Sequence, residues 1–394
     1  MTELTSQVPR EDNQAVQARL QMDKVLTIIS GHFIHDTYSA FLAPLLPNLI
    51  TKLSLTYTQA GSLSAITQIP SLLNPLIGYL DDKVNLRLLV ILAPAVTAIT
   101  MSFLGMAPNY LTLIILLFIT GLSISAFHAP SPAMIARVSG CQVGKGMSLY
   151  MAAGELGRTV GPLIASWALL TFTLDGMFPI AIPGLVASLA IFLRFRGVPI
   201  HVEKQTGFRE MFPVAKRLFL PLIGIIFTRS FLVISLGLYL PTLLEGEGAS
   251  IWKAGITLAI YQLAGVVGAF SGGTISDRMG RKPILFSVSL ISPFIMLAFL
   301  RSTGWLIIPL LICAGLLSLS AQPIMLAIVQ DHLPSHRSVA NGFFMAISFI
   351  CQSTAALVIG MLGDTLGLRQ AFLWTAIIGM LAAPLVLFLP KRPG

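Results

Sequence analysis

Polar and apolar residues neither alternate at the strand period nor mark a single helical face over most of this chain; apolar residues run on instead. Twelve such runs lie near 25–50, 57–80, 86–106, 110–136, 146–171, 176–195, 218–243, 251–275, 283–301, 304–329, 338–362 and 369–389. A helix rising 1.5 Å per residue needs about 20 apolar residues to cross a hydrocarbon layer about 30 Å thick. The pattern therefore predicts an all-α integral membrane protein with twelve transmembrane helices. Charged residues gather in the segments between the runs.

Composition agrees. Of 394 residues, 55% are hydrophobic and only 10% charged, against about 25% charged in an ordinary globular protein. A soluble protein of this size would need far more polar surface. The net charge of +9 raises the question of nucleic acid, and the placement of that charge answers it. If both termini are cytoplasmic, the outer loops hold only Lys52, Lys253, Arg301 and Arg369. Arg158 and Arg229 lie inside apolar runs, and the other basic residues fall on the cytoplasmic side. That asymmetry is the positive-inside rule. It orients the chain in the inner membrane and makes the lipid bilayer, not nucleic acid, its partner. The polar residues 1–24 read as a cytoplasmic tail without a signal-peptide core. Cys141, Cys313 and Cys351 have no metal-ligand spacing, and an odd number does not suit a disulfide framework.

An internal repeat divides the chain. Gly273-Thr-Ile-Ser-Asp277-Arg278-Met-Gly280-Arg281-Lys282 joins the eighth and ninth runs, and Gly78-Tyr-Leu-Asp-Asp82-Lys83-Val-Asn85-Leu-Arg87 joins the second and third. The expected organisation is a six-helix bundle at 25–195, a basic cytoplasmic linker at 196–217, a second bundle at 218–390 and a short tail at 391–394. Duplicated halves with a path between them are what alternating access requires.

The loop at 273–282 resembles the signature G-x-L-a-D-R-x-G-R-[RK] of the major facilitator superfamily, and the loop at 78–87 looks like its weakened copy. A narrower resemblance lies in the first half. His32-Phe-Ile-His35-Asp36, Phe127-His128-Ala129-Pro130 and Gly154-Glu155-Leu-Gly157-Arg158-Thr-Val-Gly161-Pro162 together resemble the fosmidomycin-resistance family of drug efflux transporters. This chain departs from that family's pattern in lacking an acid after Pro130 and in carrying Glu155 and Arg158 among the glycines. The resemblance implies two pseudo-symmetric six-helix bundles in the major facilitator fold. It also implies a conformational gate at Asp82, Arg87, Gly273, Asp277, Arg278 and Arg281. Gly154, Gly157, Gly161 and Pro162 look like the superfamily's antiporter motif, which is associated with export.

Ionisable groups inside a bilayer mark function or tight pairing, because each costs several kcal/mol when unpaired. Asp36 and Glu155 are the carboxylates well inside the expected spans, and Arg158, Arg229, His32, His35 and His128 join them. Helical rise puts Asp36, Glu155, His128 and Arg229 roughly 12 to 17 Å from their cytoplasmic ends, near mid-membrane. One depth reached from four helices suggests one site. Asp36, Glu155, His32 and His35 are the proton-coupling candidates. His128, Arg158, Arg229, Tyr261, Gln262 and Gln322 are the substrate candidates. Each has a structural alternative: a backbone bond for His32, an ion pair for Glu155 with Arg158, a carboxylate across the interface for Arg229. Gln68, Asn74, Tyr239 and Gln352 are further polar groups near that depth.

There is no phosphate-binding loop, no H-E-x-x-H element and no nucleophile elbow, so an enzyme is not expected. No cofactor or metal is expected either. The reading is a proton-coupled antiporter exporting a small amphiphilic or anionic compound, such as a fosmidomycin-like drug. A proton symporter importing an organic anion and a non-transporting membrane sensor or scaffold are the alternatives. One chain suffices for the architecture, so a monomer is expected.

Overall fold

The structure, a computed structural model, describes residues 21–73, 87–195, 212–333 and 337–390. Residues 1–20 of the expected 1–24 tail, the tail 391–394, Asn74, Asp82 with most of the first-half loop, and residues 196–211 of the linker lie outside the described residues. Among the described residues there are helices and no strand.

Proline and glycine set where the helices break. The first run is two helices, α1 (Met22–Ser39) and α2 (Leu42–Leu53). Pro44 cannot donate to the carbonyl of Ala40, so the ladder is interrupted there and Pro44 sits in the first turn of α2. α3 (Tyr57–Gln68) starts from a capping box in which Thr56 and Gln59 exchange side-chain and backbone bonds. α4 (Arg87–Ser102) and α5 (Tyr110–His128) follow. The run expected to reach residue 136 instead stops at His128, and Pro130 and Pro132 flank the start of a separate short helix, α6 (Ser131–Val138). α7 (Val143–Phe172) and α8 (Ile182–Phe195) complete the first half.

In the second half, α9 (Phe212–Ile234) widens into a π turn at Ser235–Tyr239 before α10 (Leu240–Gly246). Pro241 removes one donor, and the wider turn accommodates the loss. α11 (Ile251–Met279) and α12 (Arg281–Arg301) are separated by Gly280, whose φ of 95° suits glycine. α13 (Ile307–His332), α14 (Arg337–Leu366), α15 (Leu368–Met380) and α16 (Ala382–Leu387) end the chain. Eight helical stretches among the described residues are long and apolar enough to cross a membrane. Leu111, Trp305 and Phe388 are 63%, 77% and 75% exposed, an apolar surface that only lipid would cover.

The two ends of the molecule are built differently. At the end away from the termini, one hydrophobic core is shared by both halves, from Phe41, Leu45 and Leu63 to Tyr239, Leu258 and Ile359. At the end carrying the termini there are two separate cores. One gathers Val25, Ile28, Val90 and Ile135, and the other gathers Leu218, Leu285, Ile328 and Phe344. The shared end is closed by close helix contacts between halves. A Cβ on Gly61 of α3 would lie 2.3 Å from the Ala356 carbonyl of α14, and one on Gly255 of α11 would lie 2.1 Å from Ser166 Oγ of α7. Tyr239 Oη lies 3.0 Å from the carbonyls of both Tyr57 and Ala356 and shares its one hydroxyl hydrogen between them. Asp364 accepts from the backbone amides of Tyr57 (2.6 Å) and Thr58 (2.9 Å) and from Thr58 Oγ1 (2.5 Å). A carboxylate from α14 thus receives the first amides of α3, where the helix dipole favours an anion.

Candidate functional site

The mid-span charges fall into two centres, one in each half. In the first half, α1, α5 and α7 bring His32, Asp36 and His128 together. His128 Nε2 lies 3.3 Å from Asp36 Oδ1, His32 Nε2 lies 3.4 Å from Asp36 Oδ2, and the two Nε2 atoms are 3.3 Å apart. Arg158 Nε approaches Asp36 Oδ2 at 3.9 Å, and its Nη2 pairs with Glu155. Asp36 is 1% exposed, yet neither carboxylate oxygen has a well-formed hydrogen bond among the described residues.

Both imidazoles are held from behind. His32 Nδ1 meets the Tyr150 carbonyl at 2.8 Å, and His128 Nδ1 meets the Ile124 carbonyl at 3.0 Å. A carbonyl only accepts, so both Nδ1 atoms carry hydrogen, and both Nε2 atoms turn toward Asp36. The Tyr150 ring stacks on His32 at 3.9 Å, and its hydroxyl bonds Ser131 at 2.6 Å. His35 lies behind the cluster, stacked on Phe127 at 4.5 Å, with neither ring nitrogen partnered among the described residues.

The glycines of α7 make this approach possible. A Cβ at position 154 would lie 2.4 Å from His32 Cε1 and 2.9 Å from Asp36 Oδ2. Gly157 and Gly161 bring the same helix against the α1 backbone at Phe33 and Thr37. Pro162 is the next residue, and its carbonyl lies against Gly255 of the second half. The side chains of His128 and Arg158 are 32% and 43% exposed, so the cluster is open on their side.

The second centre is Arg229, 3% exposed. It donates to Ser289 Oγ (3.2 Å) and to the carbonyls of Leu317 (3.2 Å) and Ser318 (3.0 Å). Among the described residues it forms no ion pair, so the carboxylate considered across the interface is not its partner. A small open cleft lies against it, lined with Ser230, Ser318, Gln322, Ser348 and Gln352 among apolar residues. Gln322 therefore joins Arg229, and the buried Tyr261 interacts with both Arg229 and Ser318 from the edge of the shared core, whereas Gln262, also on α11, does not line the cleft.

The gate candidates separate similarly. Arg281 pairs with Asp277 at 2.8 Å and, through Nε, with Asp331 at 2.6 Å. Asp331, at the end of α13, was not anticipated from sequence. Gly273 has open space around its Cα, and Arg278 is exposed. Arg87 donates to the Phe195 carbonyl at 2.6 Å, tying α4 to the end of α8. Tyr150 and Asp364 were also missed. Tyr150 contributes a backbone carbonyl, which no residue type advertises. Asp364 ends an apolar run, where a lone acid is an available cap signal.

Comparison with known proteins gives the same frame. The Major Facilitator Superfamily model matches residues 28–351. The chain is 24% identical to the fosmidomycin resistance protein of Escherichia coli (strain K12), over 100% of this chain and 98% of that one. It is 25% identical to an uncharacterized MFS-type transporter, YfnC, of Bacillus subtilis (strain 168), over 91% of each. Among solved structures, it resembles an inward-facing bacterial homolog of the human lysosomal transporter Spinster. The TM-score is 0.81 at 15% identity, covering 94% of this chain and 96% of the other.

Proposed function

Because the chain belongs to the major facilitator superfamily, whose fold has twelve helices in two bundles, we propose that it exports a small amphiphilic or anionic compound in exchange for protons. The observation that carries the reading is Asp36: a buried carboxylate without a well-formed hydrogen bond, faced by two ring nitrogens and a guanidinium. Such a group exchanges partners at low cost, because no fixed donor has to be broken first. Asp36 with His32 and His128 takes the proton, which moves His128 from the substrate set to the coupling set. His35 lines the back of that cluster. Glu155 neutralises Arg158 until an anion competes for the guanidinium, and it then accepts a proton of its own.

The substrate's anionic end is read against Arg229, whose hydrogen bonds all go to uncharged acceptors. Guanidinium suits a carboxylate or phosphonate through paired N–H donors. Ser230, Gln322, Ser348 and Gln352 supply further polar groups to the same cleft. Taking both termini as cytoplasmic, the shared core and the Asp364 contact close the outer face, and the separate cores leave the inner face parted. The inward-facing Spinster homolog is in keeping with that state. Export also agrees with the name of the Escherichia coli relative. The protein is then a monomeric carrier of the inner membrane, with Arg281, Asp277 and Asp331 relaying the switch between states.

Proteoliposomes with a pH-sensitive dye inside test this directly. With acid outside and fosmidomycin offered, wild type should move protons only when substrate is present, and Asp36→Asn and Glu155→Gln should not. Protons and substrate moving the same way would make the carrier a symporter. No substrate-dependent proton movement with fosmidomycin or a panel of organic anions would refute proton coupling.

A further inference from the structure

The geometry of the first-half cluster points to a second occupant: we propose that His32, Asp36 and His128 form a binding site for one divalent transition-metal ion of the zinc or cobalt class. The inference rests on the shape of the cluster alone and stands whichever ion drives transport.

Four observations converge on it. First, one ligand atom from each of the three residues lies within 4.8 Å of the other two, all from buried or half-buried side chains. Second, the two Nε2 atoms stand 3.3 Å apart and bracket the carboxylate, His128 at 3.3 Å from Oδ1 and His32 at 3.4 Å from Oδ2. Metal bonds of about 2.0 to 2.1 Å at tetrahedral angles put neighbouring ligand atoms about 3.3 to 3.4 Å apart, so the nitrogens already have that spacing and a small turn of the carboxylate would bring one oxygen to both. Third, the backbone carbonyls of Tyr150 and Ile124 take the Nδ1 hydrogens. Each neutral imidazole is thereby held in the tautomer whose Nε2 lone pair faces the centre, the outer support that metal-binding histidines use. With neither a metal ion nor a proton bound, two lone pairs and a carboxylate face one another with no hydrogen between them. Fourth, Gly154 keeps the wall thin. A methyl group there would press on His32 Nε2 at 2.5 Å and Asp36 Oδ2 at 2.9 Å.

Charge and access fit as well. Arg158 stands beside Asp36, but its terminal nitrogen is engaged by Glu155. Two carboxylates against one guanidinium leave the group one negative charge in surplus when the imidazoles are neutral. The half-exposed His128 gives an entry path and a place for water to complete four-fold coordination. Two imidazole nitrogens with one carboxylate oxygen favour a first-row transition metal over calcium or magnesium, which prefer all-oxygen sites.

The test uses the purified full-length protein in nanodiscs, tag removed, with cobalt(II) as the probe. Visible ligand-field absorption and equilibrium dialysis should report one tetrahedral cobalt per chain, displaced by one equivalent of zinc. Asp36→Asn and His128→Gln should each weaken cobalt binding by at least roughly tenfold, and Gly154→Ala should do so without removing any ligand. His332→Ala removes a histidine on another helix and should leave binding unchanged. Circular dichroism and thermal melting of each variant verify that it is folded. Absence of stoichiometric binding to wild type overturns the site. So does binding that folded Asp36→Asn and His128→Gln variants retain, or that His332→Ala removes.

Discussion

Asp36 and Arg229 are both mid-span charges in the dark of the protein, 1% and 3% exposed, and their surroundings settle them in opposite ways. Asp36 is surrounded by groups that carry or can acquire positive charge, yet it receives no well-formed hydrogen bond. Arg229 has three hydrogen bonds, all to neutral oxygens, and no ion pair among the described residues. The first centre carries surplus negative charge beside imidazoles that can take up a cation, and it leaves geometry loose. The second fixes geometry but leaves its positive charge unbalanced. A loose, anionic site suits a cation that comes and goes, and a fixed, cationic one suits an anion that arrives with its own charge. The difference argues for a division of labour between the halves.

Neutralising Asp36 should break that division most severely. Asp36→Asn keeps the shape but leaves Arg158 with Glu155 alone and the imidazoles facing an amide. The variant removes the proposed proton acceptor while keeping the fold, so uphill efflux should fall to background. Exchange of labelled for unlabelled substrate down its own gradient should persist, because the second-half cleft is untouched. Concentrative efflux from Asp36→Asn at the wild-type rate would show that the carboxylate is only a packing element.

The second centre should respond in affinity. Arg229→Gln removes the charge while retaining one donor group, and charged hydrogen bonds are worth about 1.5–3 kcal/mol. The half-saturating concentration of an anionic substrate should rise by roughly ten- to a hundredfold. Arg229→Lys should lie between, since an ammonium keeps the charge and loses the paired donors. Titration calorimetry checks both. An Arg229→Gln variant that binds the anion normally would mean that the cleft recognises substrate by its uncharged groups.

How far the sequence foretold this depends on which contacts were local. The apolar runs and the Asp277–Arg281 loop were legible, because helix length and an i,i+4 pair are properties of neighbouring residues. The meeting of His32 and Asp36 was legible for the same reason, four residues apart on one helix face. His128 was expected at the depth of Asp36, to bond substrate or to join the proton path, and its contact with Asp36 was not foreseen. Depth is a one-dimensional coordinate, and the rotation of α5 about its axis decides what the ring faces. The same limit bears on Asp36 and Arg229, which were expected at one depth and are held by contacts within different halves. Metal ligation was not expected from spacing, because the third ligand comes from another helix. The breaks at Ala40 and Ala129 were marked by the prolines that follow them, but hydropathy alone runs through both.

The smallest expected effect concerns the contact that keeps both centres facing the same way. Asp364 receives two backbone amides and one hydroxyl from the start of α3, and it joins the half that holds Asp36 to the half that holds Arg229. Asp364→Asn retains one acceptor oxygen but loses the charge that the α3 N-terminus favours, a change of about 0.3–1 kcal/mol from the dipole alone. With a weakened hydrogen bond added, the cost comes to about 1–2 kcal/mol, or roughly tenfold in the population of the opened end. Hydrogen exchange at the Tyr57 and Thr58 amides should quicken by about that factor, with the Asp36→Asn variant unchanged at the same amides. Equal protection in Asp364→Asn would mean that the glycine-lined contact of α3 with α14 closes this end without the carboxylate. The balance between the two centres would then be set by packing alone.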